Sequence, residues 1–108
     1  MELKITTRVA SPTVFLDLSG RFSLLDRSLH ERVNSLLDEG LRDFNLDLAD
    51  VSYIDSFGLG QLVRIWTSIQ NRRGRVRFLR PNERVRKLLH ITKLDMVFEI
   101  HTDQSAVL

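Results

Sequence analysis

Cysteine is absent from the chain, which excludes disulfides, thiol nucleophiles and thiolate metal sites together. The absence fits a reducing compartment. Long apolar runs are missing as well: nowhere do about 18 apolar residues follow one another, the length a spanning helix needs. Residues 1–9 alternate polar and apolar side chains and lack the continuous apolar core of a signal peptide. Proline occurs twice and glycine five times, against 43% hydrophobic and 28% charged residues, a composition that forms a core. The expectation is a soluble, cytoplasmic protein. Its 108 residues suffice for one domain, 1–108, and are too few for two.

The net charge of +2 is small, but it is unevenly spread. Between Arg64 and Lys93 stand ten Lys/Arg and one acid, Glu83, whereas Met1 to Leu62 holds ten acids and six bases. Such a segment reads first as a solvated basic face. Its functional alternative is a patch that speeds encounter with an acidic partner. Interleaved surface aromatics and a recognised nucleic-acid reading motif are both lacking, so direct nucleic-acid binding is not expected. His30, His90 and His101 are scattered without ligand spacing, and neither a metal nor another cofactor is expected. Asp47, Asp50 and Asp55 gather near the end of one strand, where capping and a solvated rim account for them. No G-x-S-x-G elbow is present, and no catalytic residue is assigned.

Periodicity supplies the architecture. Leu3, Ile5, Thr7 and Val9 alternate with polar residues, Ser11-Pro12 breaks the run, and Val14, Leu16 and Leu18 resume it up to Ser19-Gly20, a pattern that predicts a hairpin. From Arg27 to Glu39 the period becomes helical, with Leu29, Val33, Leu36 and Leu37 on one stripe, Asp26 placed to cap and Gly40 to terminate. Phe44, Leu46 and Leu48 form a third strand that runs on through Asp50 to Ile54. A helix opens at Asp55-Ser56, burying Leu59, Leu62, Val63, Trp66 and Ile69, and closes at Asn71-Arg72-Arg73-Gly74. Val76 and Phe78 mark a fourth strand, with Arg75 and Arg77 on its other face. Pro81-Asn82 starts a third helix with Val85, Leu88 and Leu89 inward. Met96, Phe98 and Ile100 predict a fifth strand, and residues 102–108 a short closing helix or a frayed end. The order ββαβαβαβ, with or without a final α, implies an α/β fold: a mixed sheet of about five strands with helices packed on it.

The stretch that carries chemistry is Val51-Ser52-Tyr53-Ile54-Asp55-Ser56-Phe57-Gly58-Leu59-Gly60. A buried strand ends, an Asp and a Ser follow, and a helix begins with two glycines in its opening turns. Open α/β sheets place sites at such junctions. The first turn of a helix offers unpaired N–H groups and partial positive charge, which suit a phosphate. The plainer reading makes Asp55 or Ser56 an N-cap and the glycines accommodations to packing. Residues alone leave both open.

The run Asp50-Val51-Ser52-Tyr53-Ile54-Asp55-Ser56-Phe57-Gly58-Leu59-Gly60 resembles the signature of the STAS family, commonly D-hydrophobic-S-x-hydrophobic-D-S-[S/T]-G-L-G. The hairpin ending at Gly20, the helix after Asp26, Arg80-Pro81-Asn82 leading into Val85-Arg86-Lys87-Leu88-Leu89, and His90-Ile91-Thr92-Lys93-Leu94 also fall where the family places them. The resemblance, which spans essentially the whole chain, implies a STAS-like single domain acting as an anti-sigma factor antagonist (an anti-anti-sigma factor) and not as an enzyme. It implies that Ser56 accepts phosphate from an anti-sigma factor with serine kinase activity, that the unphosphorylated chain binds that kinase and frees a sigma factor, and that a phosphatase resets the cycle. The partner-binding surface it implies comprises Ser23, Asp26, Asp55, Ser56, Phe57, Gly58, Leu59 and Gly60. Two positions depart from the pattern: Phe57 stands where Ser or Thr is usual, and Ser23 where many antagonists carry an acid. An aromatic there is either an exposed anchor or tucked against the sheet. The alternative role is a non-phosphorylated scaffold, or an accessory subunit of a stress-signalling complex or lipid-transport ATPase.

Overall fold

The computed structural model describes residues 3–23 and 27–102. Five strands form one sheet in the spatial order of the chain: β1 (Lys4–Ala10), β2 (Thr13–Phe22), β3 (Asp43–Ile54), β4 (Arg75–Leu79) and β5 (Glu99–His101). β1 and β2 are antiparallel across the Ser11-Pro12 turn, with Val9 opposite Val14; every later pairing is parallel. The crossovers carry the helices α1 (Ser28–Asp38), α2 (Ser56–Asn71) and α3 (Glu83–Ile91), the last followed by a single 3-10 turn at Leu94–Met96.

Register explains why one face of the sheet is apolar. Val14 lies opposite Phe44 and Phe44 opposite Val76, while Leu16, Leu46 and Phe78 form the next row. All six are buried, and they share a core with Leu29, Val33 and Leu37 of α1, Leu62, Ile65 and Ile69 of α2, and Val85 and Leu89 of α3. The helical stripes therefore cover the face the alternating strands present, and each core side chain contributes about 1.5–3 kcal/mol. Phe98 closes the end of this core, stacked on Phe78 with centroids 4.5 Å apart.

The opposite face is a polar ladder. Arg75 makes two hydrogen bonds to Glu99 (2.8 and 2.7 Å), Arg77 binds Asp43 (2.8 Å), and the Thr13 hydroxyl donates to Asp43 (2.8 Å). Arg80 pairs with the buried Asp47, whose hydrogen bond raises the guanidinium further above its ordinary value. With Arg72 on Asp38, four of the ten basic residues between Arg64 and Lys93 are neutralised by carboxylates among the described residues. The basic face is thus weaker than its sequence count. Hydrogen bonding to Arg75, opposed by burial and reinforced by His101, holds the Glu99 carboxyl at about 2, against an ordinary 4.5. A folded-state value below the unfolded one stabilises above the unfolded value and is lost as pH falls through the folded one. Glu99→Gln is therefore expected to flatten the pH dependence of the unfolding midpoint between about pH 4.5 and 2. Because the side chain is a third exposed, the effect is on the order of 1 kcal/mol after solvent screening. Midpoints that fall equally steeply in variant and parent would remove Glu99 from the acid response.

Three expectations are corrected. β2 does not stop at Ser19-Gly20 but runs to Phe22, since Gly20 takes φ +98 and the pairing with β3 passes two register shifts to reach Ile54. Met96 is not a strand residue: Lys93 adopts φ 62, the 3-10 turn takes up Leu94–Met96, and Met96 is exposed. Arg27, not Asp26, precedes the first turn of α1. Asp26 and the expected closing helix beyond residue 102 lie outside the described residues.

Candidate functional site

The junction between β3 and α2 is built from one cap and one close approach. Asp55 is extended (φ −98, ψ −179), and its carboxylate accepts the Gly58 N–H at 2.7 Å, while its carbonyl receives the first helical bond, from Leu59 N–H at 2.9 Å. This is N-capping by a residue whose short side chain reaches the third amide of the helix. The Asp55 N–H in turn donates to the Phe22 carbonyl at 3.4 Å, so the end of β2 and the start of α2 meet backbone to backbone. A Cβ on Gly58 would stand inside van der Waals contact of the Phe22 carbonyl oxygen and 2.9 Å from its carbon. Gly58 is glycine because a neighbouring strand occupies the space.

Gly60 is different. A Cβ there meets nothing within 4 Å, and the residue is exposed. Glycine inside a helix costs about 1 kcal/mol relative to alanine, and among the described residues no packing contact requires it. Gly60→Ala is therefore expected to raise the unfolding free energy by about 0.5–1 kcal/mol in urea denaturation; a loss instead would mean that the position is strained.

Ser56 is the first residue of α2 and is exposed, and the Phe57 ring beside it is 57% exposed, which decides between anchor and tucked ring in favour of an uncovered aromatic. Gly58 and Leu59, expected at the partner-facing surface, are buried; Leu59 is turned into the core at 7% exposure. Ser23 is half-buried, and its carbonyl accepts from Gln61 Nε2 at 2.9 Å, which fastens the residue after β2 to α2. The accessible part of the site is thus Ser56, Phe57 and Gly60, with Asp55 and Ser23 at its rim. Asp47 is engaged by Arg80, and no group of three or more His, Asp or Glu stands ready for a metal ion among the described residues.

The sequence reading missed the second wall of the site. Ser56, Gly60 and Arg64 recur every four residues on α2 and line a cleft of about 300 Å³, faced from the α1 side by Arg27 and His30. His30 Nε2 lies 3.2 Å from Ser68 Oγ, one further four-residue step along α2. The spacing of 56, 60, 64 and 68 was visible in the sequence; that α1 would pack against that face was not.

Residues 4–106 match the STAS domain family, and the chain belongs to it. A Thermotoga neapolitana protein named as an anti-sigma factor antagonist homologue is 39% identical over 75 residues, 69% of this chain and 66%, just under two thirds, of that protein. The anti-sigma-B factor antagonist of Bacillus subtilis is 26% identical over 101 residues, covering 93% of this chain and 92% of that one. The crystal structure of a Thermotoga maritima protein named as an anti-sigma factor antagonist superimposes with a TM-score of 0.85 at 28% identity, over 95% of this chain and 90% of the other. Among the described residues no helix is long and apolar enough to cross a membrane.

Proposed function

We propose that this chain, acting as one STAS module over residues 1–108, is a cytoplasmic anti-sigma factor antagonist that docks through the surface around Ser56 on an anti-sigma factor with serine kinase activity. Phosphorylation of Ser56 switches it off, and a phosphatase restores it. The observation that carries this reading is an exposed serine as the first residue of a capped helix, with a bare aromatic ring next to it. The names borne by the relatives agree with it. The chain acts by binding and not by catalysis.

The chemistry of the switch follows from position. A phosphoserine adds about −1.5 to −2 charges, which the first turn of α2 tolerates because its unpaired amides and dipole favour an anion. In a docked interface the same dianion would be desolvated beside Asp55, and the complex would be lost. The fold need not change. The test is to incubate the chain with ATP, magnesium and candidate kinase-type anti-sigma factors and read intact mass, with Ser56→Ala alongside. A gain of about 80 Da that vanishes in Ser56→Ala is expected. A stable complex without any gain would replace the switch by constitutive binding, with the departures at Phe57 and Ser23 as its cause.

A further inference from the structure

We propose that the cleft between α1 and the start of α2 is the receiving site for the phosphoryl group of the chain's own Ser56, with Arg27 and Arg64 as the two cations that hold it. The inference rests on reading Ser56 as a phosphate acceptor and adds where the phosphate goes. Three observations converge on the cleft. Ser56 lines it, so a group on the serine oxygen is already at its mouth. Arg64, on α2, and Arg27, just before α1, line it from two sides, and neither forms an ion pair with a carboxylate among the described residues, whereas Arg72, Arg75, Arg77 and Arg80 all do. Gly60 lies between Ser56 and Arg64 on the same face, where none of the described residues comes within 4 Å of the place a Cβ would take.

The reach is adequate. Eight residues of α-helix rise about 12 Å. A long side chain leans toward the N-terminus of its helix, so Arg64 covers much of that distance across the bare backbone of Gly60. Arg27, one residue before α1, meets the cleft from the other side. Two guanidinium groups match the charge of a phosphate dianion of about −1.5 to −2, and each presents paired N–H donors to its oxygens. The groups facing the site are then Arg27 and His30 from the α1 side, and Ser56 and Arg64 from α2. The carboxylate of Asp55, next to Ser56 in the chain, is turned to the Gly58 N–H. Phosphorylation on this account fills and neutralises a cleft that the unmodified chain presents open, so the docking surface changes shape as well as charge.

The test separates this assignment from the switch itself. Phosphoserine is introduced at position 56 by genetic encoding, without any kinase, and its second ionisation is followed by phosphorus-31 NMR in the parent, Arg64→Ala and the Arg27→Ala/Arg64→Ala pair. The ionisation, ordinarily near about 6, is expected to lie about half a unit or more lower in the parent than in the double variant, and the gap to shrink in high salt. The helix dipole is common to all three proteins and cancels. Equal values in parent and double variant, with both folded by circular dichroism, would overturn the cleft assignment. A low parent value in a chain that no kinase modifies would end the switch reading and leave the cleft standing.

Discussion

Gly58→Ala is expected to lower the unfolding free energy by about 2–4 kcal/mol, the largest stability loss from a single added methyl near the site. The methyl would press on the carbonyl carbon and oxygen of Phe22 and lie 3.0 Å from Ile54 Cγ1. Neither neighbour can yield cheaply. Phe22 and Ile54 are partners at the end of the β2–β3 ladder, and the Phe22 carbonyl already accepts the Asp55 N–H. Relief requires the first turn of α2 to swing away, which would break that bond and loosen the Asp55 cap. Alanine is the better helix former by about 1 kcal/mol, so the net cost is what remains after that gain. Urea unfolding of the variant should show a lower midpoint with an unchanged slope. A variant as stable as its parent would show that β2 and α2 do not meet as described. Gly60→Ala is the control, expected to move stability the other way.

Phe57→Ala, one residue earlier, should do the reverse: leave stability within about 0.5 kcal/mol and weaken docking on the anti-sigma factor about thirtyfold. A ring that is 57% exposed contributes little to the core, so its removal costs the fold little. The same exposure leaves apolar area free for a partner to bury, and aromatic anchors of that kind are worth about 2 kcal/mol or more. Calorimetric titration of the unphosphorylated chain with the anti-sigma factor reads the difference. An affinity changed less than about twofold would remove Phe57 from the interface and place the docking surface elsewhere.

Most of the fold was legible because the sheet has one covered face, so in-out alternation along each strand and helical stripes between strands carry the same message. What escaped was set by partners distant in the chain. Gly20 reads as a stop, yet β2 continues through it past two register shifts whose extra residues lie on β3, because β3 offers pairing as far as Ile54. Of Met96, Phe98 and Ile100, read as one strand, only Ile100 lies in β5: the 3-10 turn takes Met96, and Phe98 is buried just before the strand begins. Arg75, Arg77 and Arg80 read as one basic run; the parallel register gives them Glu99, Asp43 and Asp47. At the site, Asp55 and Ser56 were legible as a cap and a helix start. The two glycines were indistinguishable in sequence and have unlike surroundings: one faces a strand, the other lines a cleft. Arg27 and His30 could not be placed there until α1 was seen against α2.

The spatial order of the strands is their order in the chain, with β1 and β5 at the two edges. A chain made from its N-terminus therefore adds each strand to the exposed edge of one already made. No strand has to be threaded between two that have paired, and no finished pairing has to open to admit a later one. Each helix lies in the chain between the two neighbouring strands that it joins, so assembly can follow translation from one edge of the sheet to the other.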